Sequence, residues 1–294
     1  MPFYIGILQL KTELDEVVAG FKQGLGQAGL AEKDYLIDYR NVQENVPSFG
    51  QEADDLVAAG ADLIFACTTP AAKFAKEAAD FYQIPVVFTP VYDPVAVGLV
   101  KSWESSGNHL AGVSGKVDVV KKLKLLTTLK PNLKELAVVY DPNDPNALLE
   151  LKDLQVAVPD FGLSLQELQV HDSASLSTIT FPESTQFVFV PICRLIEEHF
   201  LLLATNCQQQ GLPICGHNLQ AVQQGAACCV DSLHFELGVQ AGVMAAQILQ
   251  GVEPSALPIA RPEKVQIYIN GLISEELGLQ VADVPNAQVV REGR

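Results

Sequence analysis

Two elbows in this chain carry residues suited to holding a small polar ligand. Residues 61–89 run from a buried strand through Thr68-Thr69-Pro70 into a helix, and Ile84-Pro85-Val86 then opens another strand. Residues 186–217 repeat the scheme with the elbow Pro191-Ile192-Cys193-Arg194, a helix, and Leu212-Pro213-Ile214. The first N–H groups of a helix lack partners within it and the helix end is positive, so such an elbow receives a carboxylate or another polar group. In the first elbow the hydroxyls of Thr68 and Thr69 and the N–H groups of Ala71 and Ala72 would hold the anion. Thr69 also reads as an N-cap, with Pro70 at the first helical position. In the second elbow Cys193 and Arg194 take the corresponding places. Arg194 either clamps an anionic group with both arms or is a solvated first-turn arginine paired with Glu197 or Glu198. One elbow per half implies two lobes closing on one small ligand, a binding protein rather than an enzyme.

Other polar residues fall at strand ends. Gln9 ends the first strand, where a cleft residue belongs. Asp93 either accepts from a ligand ammonium or caps a helix starting at Pro94. Tyr92 and Tyr140 either stack on a flat apolar ligand or pack inside their lobes with satisfied hydroxyls. Ser114, in the turn Gly112–Gly115, and Asn218, after the strand at 213–215, complete the candidate ligand contacts. Catalytic patterns are missing: there is no nucleophile elbow, GxGxxG, Walker sequence or zinc-spaced cysteine cluster. Cys193 with His199 and His217 is the nearest approach to a nucleophilic set. We therefore expect no cofactor, no metal and no enzymatic activity.

The elements that must position these residues alternate from end to end. Strands are expected at 3–10, 35–39, 61–66, 86–89, 109–113, 135–140, 163–169, 186–190, 213–215, 226–230 and 265–269. Helices fall between them: Leu14, Val17, Val18, Phe21 and Leu25 recur at helical spacing, followed by 71–82, 119–129, 145–156, 194–209, 235–249 and 274–278. Alternation over this length implies parallel sheets covered on both faces, with ligands beyond the carboxyl ends of the strands. We place an N-terminal lobe at 1–112 plus 232–262 and a C-terminal lobe at 113–231 plus 263–294.

Composition bounds the partners. The chain has 294 residues, a net charge of -16 and a pI near 4.6, which argues against nucleic acid and anionic lipid. No apolar run approaches the ~18 residues of a membrane span. Of the six cysteines, Cys67, Cys215, Cys228 and Cys229 sit among apolar neighbours at strand ends and read as buried free thiols, which favours a reducing compartment or an organism that tolerates thiols outside. A strand begins at Phe3 with no basic leader before it, so either the protein is cytoplasmic or an export signal is absent from this chain.

Several segments carry a resemblance: GILQL at 6–10, TPAA at 69–72, FTPVYDPVAVGLVKS at 88–102, GVSG at 112–115, VYDPN at 139–143, FELGVQAGVMAAQILQGVEP at 235–254 and YIN at 268–270. In this order, over nearly the whole chain, they resemble the ABC-transporter substrate-binding proteins of the type I periplasmic-binding fold. The nearest branch includes tryptophan- and other aromatic-amino-acid-binding lipoproteins. The resemblance implies two Rossmann-like lobes joined by a three-crossing hinge, a ligand in the cleft, and handover to a membrane permease driven by an ATPase. It also implies a monomer outside the cytoplasm, periplasmic or extracellular. The second lobe departs from the family: Pro191-Ile192-Cys193-Arg194 lacks the usual acid, Asn218 stands where an acid often meets a ligand amino group, and Leu233 replaces another. An ammonium in a closed cleft needs a carboxylate, so these departures count against an α-amino acid and leave a related carboxylate in play. A stand-alone ligand-sensing domain signalling to a kinase or regulator is the alternative of a different class.

Overall fold

The computed structural model describes residues 1–291, which form two compact units. One is Met1–Lys116 with Ser232–Lys264; the other is Val117–Asp231 with the chain from Val265 onward. The chain therefore passes between them three times.

The first unit is built from β1 (Phe3–Gln9), α1 (Asp15–Gln27), β2 (Tyr35–Asn41), α2 (Ser48–Ala58), β3 (Leu63–Cys67), α3 (Thr69–Ala79), β4 (Val86–Val91) and β5 (Leu110–Ser114). Its strands pair in parallel in the order β2-β1-β3-β4-β5. Every residue of β3, Leu-Ile-Phe-Ala-Cys, is buried, as expected of a strand covered on both faces. Side-chain alternation sends Ile5, Ile7, Phe65, Cys67 and Val87 into one core and Leu8, Ile64, Ala66 and Phe88 into the other. The chain leaves β1 for β2 on one side and crosses to β3 on the other. This makes the gap between β1 and β3 the topological switch point, where open α/β sheets bind ligands.

The second unit contains α4 (Val119–Leu129), β6 (Glu135–Tyr140), α5 (Pro145–Ala157), β7 (Ser164–Gln169), α6 (Ser173–Thr178), β8 (Phe187–Phe189), α7 (Arg194–Glu198), α8 (Phe200–Gln209), β9 (Ile214–Gly216), α9 (Leu219–Gln223) and β10 (Cys228–Ser232). Next, α10 (His234–Leu249) rejoins the first unit, and β11 (Val265–Asn270), α11 (Gly271–Glu276) and β12 (Ala287–Val290) complete the second. The order is β12-β11-β10-β9-β8-β6-β7, with its own switch point between β6 and β8. Helix α10 meets α1 backbone to backbone. A Cβ on Gly20 would lie 2.0 Å from the Phe235 carbonyl oxygen, and one on Gly242 would lie 2.1 Å from that of Phe21.

Several expected elements are redrawn. The single helix over 194–209 is two, because His199 leaves helical geometry (φ −127°) between α7 and α8. The helix after β3 covers Thr69–Ala79, and the last short helix starts at Gly271 because the Asn270 side chain accepts from Ile273 N–H. Helix α2 was not expected, although Phe49, Ala53 and Leu56 trace its buried stripe. Helices α6 and α9 run to only 6 and 5 residues, too short for a periodic signal, and β12 pairs with β11 at the sheet edge.

Candidate functional site

The switch point of the first unit collects polar residues at the carboxyl edge of its sheet. Leu8 pairs with Ala66 and Cys67 with Thr89, so Gln9, Cys67 and Thr89 form one row across β1, β3 and β4, with Thr68 just beyond. Gln9 Oε1, Thr68 Oγ1 and Thr89 Oγ1 are all buried and accept or donate no hydrogen bond. Leaving a buried polar oxygen unpaired costs about 1–3 kcal/mol. Three such oxygens lie together at this edge. Thr68 adds strain, since its φ of +91° is a region a β-branched residue rarely enters.

Helix α3 starts at this place. Thr68, not Thr69, is the N-cap residue, and its hydroxyl makes no capping bond. Pro70 is therefore the second helical residue. Ala72 N–H donates to the Thr68 carbonyl at 3.0 Å and is spent within the helix, whereas Thr69 and Ala71 precede the first helical bond. Beside them, Asp15 Oδ1 accepts from the Tyr39 hydroxyl at 2.8 Å and from Gln9 Nε2 at 3.4 Å. Burial, and then the Asp15 hydrogen bond, push the Tyr39 hydroxyl pKa up.

Other candidates of this unit serve its own backbone. Ser114 is buried; its hydroxyl donates to the Tyr92 carbonyl at 2.6 Å and accepts from Lys116 N–H at 3.0 Å. The Tyr92 ring packs beneath the Lys116 ammonium, 5.3 Å from its centroid. Asp93 accepts from Ala96 N–H at 3.0 Å and lies 3.6 Å from Lys116 Nζ. It caps a turn rather than a helix, because no helix follows Pro94.

The second unit puts its candidates to internal use. Tyr140 is buried, its hydroxyl 3.3 Å from Glu167 Oε2 and 3.0 Å from Gln169 Nε2. Cys193 lies within the apolar core, and burial pushes its thiol pKa up. Arg194 has a side chain 82% exposed and donates from Nε to Glu198 at 2.7 Å, one of the two acids expected to pair with it. Asn218 caps α9 through Ala221 N–H at 2.9 Å. Beneath the elbow, the buried pair Lys122 Nζ and Glu150 Oε1 sits at 2.6 Å, and Glu150 Oε2 accepts from Ile192 N–H at 2.9 Å. Burial opposes the Lys122 charge, yet Glu150 prevails and raises its pKa.

Thr89 and Asp15 were not among the sequence candidates, and His217 was named only beside Cys193 as part of a nucleophilic set. His217 Nε2 lies 2.6 Å from Glu197 Oε1, and its Nδ1 is buried without a partner. Thr89 lies inside β4 and Asp15 opens α1, so only His217, just after β9, carries the strand-end signal by which Gln9 was chosen. All six cysteines are free and buried, and burial pushes the Cys207 thiol up to about 12. Among the described residues no side-chain cluster suits a metal, and no helix is long and apolar enough to cross a membrane.

Two doubly wound lobes with a polar, ligand-ready strand edge define a solute-binding protein of the type I periplasmic-binding fold. A family model, ABC transporter substrate binding protein, matches residues 6–288, and the chain belongs to that family. The family is one of binding proteins, not enzymes. The chain is 28% identical over 292 residues to a tyrosine-binding protein of Clostridioides difficile (strain R20291), covering 98% of this chain and 84% of the relative. It is similar to the ligand-free, open structure of a substrate binding protein with adhesive properties from Clostridium difficile. That match has TM-score 0.86 and 28% identity, covering 99% of this chain and 100% of the other. It is similar too to an ABC domain from Streptococcus pneumoniae in complex with L-Trp, with TM-score 0.81 and 25% identity over 99% and 100% of the two chains.

Proposed function

We propose that the protein is the capture subunit of an ABC importer, working outside the cytoplasm, and that its ligand is an α-amino acid with an aromatic side chain. The two lobes close on the ligand, which then passes to a permease driven by an ATPase; closure follows from contacts that exist only when the ligand is present. The observation that carries this reading is the unpartnered trio Gln9 Oε1, Thr68 Oγ1 and Thr89 Oγ1 at the β1/β3 switch point, beside the start of α3. Two hydroxyl donors and the first N–H groups of a helix suit a carboxylate. Support for the amino acid comes from the relatives, one named for tyrosine and one solved with L-Trp.

Thermal-shift and calorimetric titration against the amino acids, aromatic carboxylic acids and nucleosides tests the reading. L-tyrosine or L-tryptophan should give the largest shift, since a ligand at 100 times its Kd stabilises by about 2.7 kcal/mol. If no solute raises the melting temperature, the capture role falls. A des-amino acid that outperforms its amino acid would move the ligand class to simple carboxylates.

A further inference from the structure

Building on the amino-acid reading above, we infer that the ligand's ammonium group is received on the first lobe, by Asp15 and Gln9, and not by an acid of the second. An ammonium shielded from water needs an opposite charge and acceptors for its three N–H bonds. At the carboxyl edge of the second sheet, Asp141 holds the main-chain N–H and Nδ2 of Asn143 on its Oδ1, and the other acids are engaged as follows. Asp144 takes the N–H groups of Asn146 and Ala147 on one oxygen and that of Arg194 on the other. Glu150 takes Lys122 and Ile192, Glu197 pairs with His217, and Asp231 accepts from Leu219 N–H. On the first lobe, Asp93 is engaged by Ala96 and Lys116.

Asp15 is different. Its Oδ1 takes both the Tyr39 hydroxyl and the Gln9 amide, and its Oδ2 has no partner among the described residues. The Gln9 amide turns its nitrogen toward Asp15, 3.4 Å from Oδ1, and its Oε1 is buried with no donor to accept from. One charged and one neutral acceptor thus stand side by side at the end of β1. Thr68, one strand away, supplies a donor for the carboxylate of the same ligand, about 5 Å across the sheet. Asn41 Nδ2 donates to the Tyr39 oxygen at 3.2 Å, so the chain Asn41–Tyr39–Asp15 holds the carboxylate in place and Tyr39 is a positioning residue. Both charged ends of the zwitterion are then read by one lobe.

The test is a ligand-by-mutant cycle, with Kd measured by calorimetry for L-tyrosine and L-tryptophan and for their des-amino counterparts. Asp15→Asn should weaken amino-acid binding by roughly tenfold or more, the scale of a lost hydrogen bond to a charged group. It should leave the des-amino acids within about twofold, because they carry no group for Asp15 to meet. Tyr39→Phe should weaken the amino acids alone, by a smaller factor. Asp15 is exposed, so both variants should melt with the wild type. Unchanged amino-acid affinity in Asp15→Asn, or an equal loss for both ligand types, overturns the ammonium assignment while leaving the amino-acid reading intact. Wild-type protein that binds the des-amino acids but no amino acid overturns both.

Discussion

The two elbows share one architecture and differ in what their polar atoms are doing. In the first, three buried side-chain oxygens have no partner and Thr68 is held at positive φ. In the second, Asp144, Glu150, Arg194 and Asn218 all have partners, with His217 Nδ1 the buried exception. A polar group that already has a partner contributes to folding, whereas one that waits for a partner costs stability until a ligand arrives. Under the proposed reading, polar recognition is concentrated on the first lobe, while the polar side chains of the other elbow are mostly paired within their own unit. Mutations at the two elbows should separate cleanly: loss of stability at the second, loss of binding at the first.

The largest effect is expected beneath the second elbow. Lys122→Met removes the partner of a wholly buried carboxylate that also holds Ile192 N–H. Breaking a buried pair from one side costs about 3–5 kcal/mol, which urea denaturation would report directly. The double change Lys122→Met with Glu150→Leu should recover most of that loss, because no uncompensated charge stays behind. If the single variant unfolds with the wild-type midpoint, the second elbow is not held from below.

At the first elbow the same kind of change should run the other way. Thr68→Val with Thr89→Val keeps both side-chain shapes and deletes two hydroxyls that satisfy nothing in the unliganded protein. Binding should weaken by roughly 100-fold for two lost donors to a carboxylate, while stability holds or rises by about 1 kcal/mol per site. Calorimetry for binding and thermal melting for stability check the two halves. A variant that binds normally, or that melts well below the wild type, would mean these oxygens belong to the core and not to a ligand.

Much of this contrast was legible before any coordinates. The all-apolar run Leu63–Cys67 identifies a doubly covered strand, and a strand followed by Thr-Thr-Pro identifies an elbow. Gln9 and Thr68 could be chosen from position alone, as the residues at strand ends. What sequence does not carry is lateral register. Ser114 is spent on Tyr92 because β5 lies beside β4 with Ser114 opposite Val91. Thr89 joins the site because Cys67 stands between it and Gln9. Whether a hydroxyl waits or is used depends on a neighbour far along the chain, so Ser114 and Thr89 exchange roles between expectation and structure. The bend at His199 that splits α7 from α8 has no local sequence signal either.

A smaller effect separates capping from recognition. Asn218→Ala should cost about 1 kcal/mol through the lost bond to Ala221 N–H at the start of α9. Its amide also lies 2.9 Å from His217 Nε2, so affinity falling further than stability would show that the second elbow reads the ligand after all.

The smallest effect tests the exposed end of the comparison. Arg194 and Glu198 form an i,i+4 pair on a five-residue helix, with both side chains half or more in solvent. Such pairs contribute about 0.3–0.5 kcal/mol and weaken with salt. The anchor of α7 is instead the Arg194 main-chain N–H, which donates to Asp144 at 2.9 Å and survives any side-chain change. Arg194→Ala should therefore leave both the melting temperature and the Kd close to wild type at physiological ionic strength. A tenfold loss of affinity with unchanged melting would move this guanidinium from solvent into the ligand's coordination, and would place a charged recognition group on the second lobe.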